Sequence, residues 1–89
     1  MEVSSTRPLL LGISGIEAEE YAIELGVRGK LLDQLAESGK ASFCSITFRP
    51  HQRAVVFHLV KHEGRIYWHA YEGEASQAHS YFEELISDE

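Results

Sequence analysis

Hydrophobic and polar positions follow two periods along this chain, a helical one before Gly39 and an extended one after it. Ala18, Tyr21, Ala22 and Leu25 recur at helical spacing, and so do Val27, Leu31, Leu32 and Leu35 after an interruption at Gly26. Two short helices meeting at an angle are therefore expected. Ser14 and Glu17 stand at capping-box spacing at the start of the first, and Ser38-Gly39 is a stop signal for the second. From Ser42 the period shortens. The segments Ser42 to Arg49, Ala54 to Lys61 and Arg65 to Tyr71 are rich in Phe, Val, Ile, Thr, Tyr and Trp, and turn residues at Pro50 and Gly64 separate them. Ala75, Ala78, Phe82, Leu85 and Ile86 then define a last amphipathic helix, with Gln77, Glu83 and Glu84 on its wet side. The expected fold is α+β: two N-terminal helices, a three-stranded antiparallel β-meander, and a C-terminal helix packed on one face of the sheet. Leu9 to Ile13 is apolar enough for a further strand but too brief to be assigned. Residues 1–8 read as a flexible leader and residues 9–89 as a single domain.

Strand register follows from pairing apolar positions. A four-residue loop over Pro50 to Arg53 sets Phe48, Ile46 and Cys44 opposite Val55, Phe57 and Leu59. An even-length loop containing Glu63-Gly64 puts Ile66, Trp68 and Ala70 on that same side. The C-terminal helix would close over this face, where Phe57, Trp68 and Ile46 are the principal core candidates. The opposite face then carries Phe43, Ser45, Thr47, Val56, His58, Val60, Tyr67, His69 and Tyr71, with no charge apart from histidinium. A solvated antiparallel face is normally dressed with Lys, Glu, Thr and Arg. Two readings follow: an aromatic and imidazole platform for a partner, using Phe43, His58, Tyr67, His69 and Tyr71, or a face covered by the second helix or the N-terminal segment.

Composition narrows the partners. Fourteen acidic against eight basic side chains give a net charge of -6 over 89 residues, which repels phosphate backbones unless cations cluster. No apolar run reaches the roughly 20 residues of a membrane helix, so no membrane partner is expected. The single cysteine, Cys44, permits no internal disulfide and suits a cytoplasmic setting. His58 and His62 would stand roughly 13 Å apart on an extended strand, too far for one metal ion. Neither Cys-x-x-Cys nor His-Glu-x-x-His spacing occurs. No metal, cofactor or catalytic residue is assigned, and the chain is not expected to be an enzyme.

The segment Tyr21-Ala22-Ile23-Glu24-Leu25-Gly26-Val27-Arg28-Gly29-Lys30-Leu31-Leu32-Asp33-Gln34-Leu35 resembles a helix-turn-helix motif, with Leu-Gly-Val at its turn and Leu32 and Leu35 inward. That resemblance implies a winged-helix-like, DNA-binding transcriptional regulator over residues 20–36 in which Arg28, Lys30 and Gln34 meet the major groove. The order helix, three strands, helix also resembles the double-stranded-RNA-binding domain. Glu74-Ala75-Ser76-Gln77-Ala78-His79 occupies the place of that family's basic cluster. The leading expectation is a small acidic, non-catalytic protein-binding module. It would act as an inhibitor, adaptor or regulator of a macromolecular partner through the histidine-tyrosine face or the acidic helical surface, as a phage-type inhibitor of a nucleic-acid-binding machine would, or pair as a homodimer through the sheet face.

Overall fold

In the structure, a computed structural model that describes residues 10–87, the extended half of the chain forms a sheet with one strand more than expected. The elements run β1 (Leu11–Ser14), α1 (Ile16–Glu24), α2 (Arg28–Ser38), β2 (Ser42–Arg49), β3 (Arg53–His62), β4 (Arg65–Glu74) and α3 (Ala75–Ser87). All pairings are antiparallel, in the order β1-β4-β3-β2. The described residues are thus α+β, with three helices on a four-stranded sheet. β1 extends the meander by pairing with the strand farthest from it in sequence, Ile13 opposite Ala70. The expected leader lies outside the described residues. The capping box does not form: Gly15 caps α1 with no side-chain hydrogen bond, because Ser14 is the last residue of β1.

The second hairpin turns at Glu63-Gly64, with His62 opposite Arg65 and φ of 53° and 79° at the two turn residues. Two successive positive φ values are the mark of a type I′ turn, whose twist matches that of the strands, and Gly64 adopts its value without steric cost. Phe57 consequently faces Ala70 and Leu59 faces Trp68, on one side as expected. The first hairpin corrects the expected register by one residue. Arg49 pairs with Arg53 around a three-residue loop, so Phe48 faces Ala54, Ile46 faces Val56 and Cys44 faces His58. His51 and Gln52 take up the reversal at φ 64° and 60°. Since side chains alternate, a slip of one moves every β2 residue to the other face.

The sheet has a core on each side. On one, α1 and α2 bring Ala18, Ala22, Leu31 and Leu35 against Val55, Phe57, Leu59, Trp68 and Ala70, with Ile13, Tyr21 and Phe43 at the margin. On the other, α3 brings Ala78, Phe82 and Leu85 against Ala54, Val56, Ile46 and Tyr71. α3 therefore does not close over Phe57 and Trp68, as expected, but over the reverse face. α1 and α2 cover Phe57 and Trp68 instead, and the second helix does not fold over the platform face. Ile86, assigned to the inner face of α3, is 45 % exposed. The reason lies in β3, where Ala54, Val55, Val56 and Phe57 are consecutive and all fully buried. A strand covered on both faces has no polar side to pin its neighbour's register. Burial of Phe57 between sheet and α1 stabilises the fold by about 1.5–3 kcal/mol before entropy is subtracted.

Candidate functional site

α3 covers only part of its face. Beyond the cluster around Val56 and Tyr71, towards the Glu63-Gly64 turn, His58, Val60 and His69 are half-buried and Tyr67 is 47 % exposed. The pairings His58 with His69 and Val60 with Tyr67 make these four side chains contiguous on two adjacent strands. The imidazole rings lie 5.9 Å apart, tilted by 40°. Partial burial, aided by the neighbouring His69, pushes the His58 pKa below its ordinary value, which keeps this part of the patch neutral. Exposed Arg65 and His62 form its rim at the turn.

Of the five residues expected to form a platform, the structure brings three together in the open: His58, Tyr67 and His69. Tyr71 shares their face but belongs largely to the α3 core, meeting Tyr81 edge-on with centroids 4.8 Å apart. Burial and the hydrogen bond with Tyr71 push the Tyr81 pKa up to about 12. Gly12, opposite Tyr71 on β1, makes room for that ring: a Cβ there would stand 3.2 Å from two of its carbons. Phe43 is removed from the platform. The one-residue slip turns it to the other face, against the core under α1 and α2.

The acidic helical surface, the second surface expected to engage a partner, gains a definite place in the structure. α1 and the β1–β4 end of the sheet enclose a shallow groove of about 340 Å³ lined by Ile13, Glu17, Glu20, Tyr21, Glu24 and Glu72. The signal was present as Glu17, Glu20 and Glu24 at helical spacing, but Glu72 reaches the same place only through the β1–β4 pairing. Arg53 donates to Glu72 at 3.2 Å. Burial first, then Glu72, raises the Tyr21 pKa. The groove suits cationic groups and repels anionic ones.

The residues proposed for groove contact with DNA are differently disposed. Arg28 at the start of α2 is held by Glu19 of α1: its Nε donates to Oε2 at 2.8 Å, and its Nη2 lies 2.7 Å from the same oxygen. Lys30 is exposed and Gln34 half-buried. Among the described residues, no group of three His, Cys, Asp or Glu side chains is placed to hold a metal ion, and no helix is long and apolar enough to cross a membrane.

Fold and surfaces together define a small α+β protein whose sheet is sandwiched at one end and only half-covered on one face at the other. Comparison with protein-family models, with curated proteins and with solved structures found no match to this chain.

Proposed function

We propose that this chain is a non-catalytic protein-binding module, an inhibitor, adaptor or regulator that engages its partner through the patch of His58, Val60, Tyr67 and His69. The observation that carries this reading is the part of the sheet face left open by α3, which presents two imidazoles, a half-exposed tyrosine and a valine with no carboxylate or ammonium among them. The tyrosine and the imidazoles combine apolar bodies with hydrogen-bonding tips, and tyrosine is among the residues enriched at protein interfaces. The glutamate-lined groove offers a separate surface to a basic partner, in keeping with the net charge of -6. A partner that normally handles nucleic acid would present such basic chemistry.

The test compares wild-type protein with a Tyr67→Ala, His69→Ala double variant in cross-linking and affinity capture from extract of the source organism. A partner retained by the wild type and lost by a variant whose unfolding free energy stays within about 1 kcal/mol supports the reading. Equal retention by both proteins, or a double variant that no longer folds, overturns it. Glu17→Gln and Glu20→Gln variants then report whether the acidic groove takes part.

A further inference from the structure

His58 and His69 stand on β3 and β4, the two interior strands in the order β1-β4-β3-β2, and they are directly opposed in the register. Opposed side chains share a face, so both imidazoles leave the sheet on the same side. Their ring centroids are 5.9 Å apart, with the planes tilted by 40°. Both side chains are half-buried, exposed enough for an ion to enter and buried enough to hold the rings in orientation. The pairing of two strands creates this arrangement, so no local spacing announces it.

The separation is close to what one metal ion requires. With a metal–nitrogen distance of about 2.1 Å and each ring centre about 1.15 Å beyond its nitrogen, two imidazoles on one tetrahedral ion have centroids roughly 5.3 Å apart. The observed 5.9 Å exceeds this by about 0.6 Å, which rotation about the broad χ2 torsion of histidine supplies. The backbone need not move. Each of the two strands has a hydrogen-bonded neighbour on both sides, which gives the pair a rigid frame.

The neighbours decide which ion is suited. Val60 and Tyr67 flank the pair towards the turn and Val56 and Tyr71 flank it towards α3, while Cys44 and Ser14 stand beside it in the same row. No carboxylate is among them, which disfavours calcium and magnesium, whereas imidazole nitrogen suits zinc, copper and nickel. Among the described residues, no third His, Cys, Asp or Glu joins the pair to hold an ion. The remaining positions fall to water.

We propose that His58 and His69 form a two-imidazole site for a divalent transition-metal ion of the zinc class, with water completing its coordination. The site lies within the patch assigned to the partner. Ion binding is measured on the chain alone, so either reading fails without the other.

The experiment is calorimetric titration of zinc chloride into the full chain, with the imidazole ring resonances followed by nuclear magnetic resonance. The expected result is one ion per chain, with the rings of His58 and His69 shifted and those of His51, His62 and His79 unmoved. His58→Asn and His69→Asn should each weaken binding at least tenfold with the circular dichroism of the fold retained, whereas His62→Asn, His79→Asn and Cys44→Ser should leave it unchanged. If a variant of the pair loses the fold, the ring shifts of the wild type decide alone. Absence of saturable binding overturns the proposal, as do shifts confined to His51, His62 or His79. Loss of binding in Cys44→Ser overturns it in favour of a thiolate ligand, and saturation at half an equivalent of zinc per chain overturns it in favour of an ion shared between two copies.

Discussion

Phe57 and Tyr67 are both aromatic strand residues, yet they stand on opposite faces and contribute differently to the fold. Phe57 is fully buried and meets the Tyr21 ring at 6.1 Å, whereas Tyr67 is 47 % exposed. Phe57→Ala should cost about 3–5 kcal/mol in urea unfolding, and Trp68→Ala a similar amount, since each leaves a cavity under α1 and α2. Tyr67→Ala should cost about 1 kcal/mol or less. Equal costs at Phe57 and Tyr67 would contradict the assignment of the two faces. His58 adds a dependence on pH. Its folded pKa lies below the ordinary 6.5, chiefly through burial and then through His69. The unfolded chain therefore binds the proton first as pH falls, and stability drops from about pH 6.5 down through the lowered folded value. His58→Gln should flatten that part of the pH profile relative to wild type while leaving the neutral region near its former level. A profile of unchanged slope in the variant would show that His58 does not carry this dependence.

At the scale of elements, legibility followed the local chemistry. α2 and its stop at Gly39, the three meander strands and the Glu63-Gly64 turn could each be read from a few neighbouring residues. β1 could not, because Leu11–Ser14 is short and its partner Glu72 lies sixty-one positions on, a pairing that no local pattern encodes. The first hairpin misled for a different reason. Pairing apolar with apolar is a sound rule only where one face is polar, and Ala54 to Phe57 is apolar on both. There the turn decides, and a loop using left-handed His51 and Gln52 is not one that residue preference announces. Placing α3 on the wrong face and Phe43 on the platform both descend from treating the sheet as one-sided. The shared face of His58, Tyr67 and His69 was legible because either even-length loop containing Glu63-Gly64 puts these β3 and β4 residues on one side, and the structure adopts the two-residue loop. The register of β2 against β3 can be checked directly. Ile46 and Val56 form a non-hydrogen-bonded pair, in which the α-carbons approach to about 4.5 Å and their hydrogens nearly touch. A strong Hα–Hα nuclear Overhauser effect is expected between Ile46 and Val56, and another between Cys44 and His58. Strong effects from Ile46 to Phe57 in their place would restore the four-residue loop.

For the molecule as a whole, charge separates the leading reading from its alternative. A helix-turn-helix regulator would bring the N-terminal end of α2 to the phosphates, and its affinity would fall steeply with salt as counterions are released. Arg28, the first residue of that helix, is already engaged by Glu19 across the α1–α2 corner. Glu17, Glu20 and Glu24 add negative charge along α1, and the net charge of -6 opposes DNA at any distance within the Debye length, about 10 Å at 0.1 M salt. No retardation of random or genomic duplex DNA is therefore expected at low salt with micromolar protein. Glu19→Gln provides the sharper arm of this test. It releases the Arg28 guanidinium and removes one carboxylate, so if α2 were a recognition helix, the variant should bind duplex DNA at least as tightly as wild type. Replacing Arg28 and Lys30 together by Ala should then abolish that binding. Salt-sensitive micromolar binding by wild type that strengthens in Glu19→Gln and vanishes in the double alanine variant would replace the protein-binding reading with the DNA-binding one. If wild type, Glu19→Gln and the double alanine variant all fail to retard DNA, the helix-turn-helix reading is overturned and the Arg28–Glu19 pair stands as a link between α1 and α2.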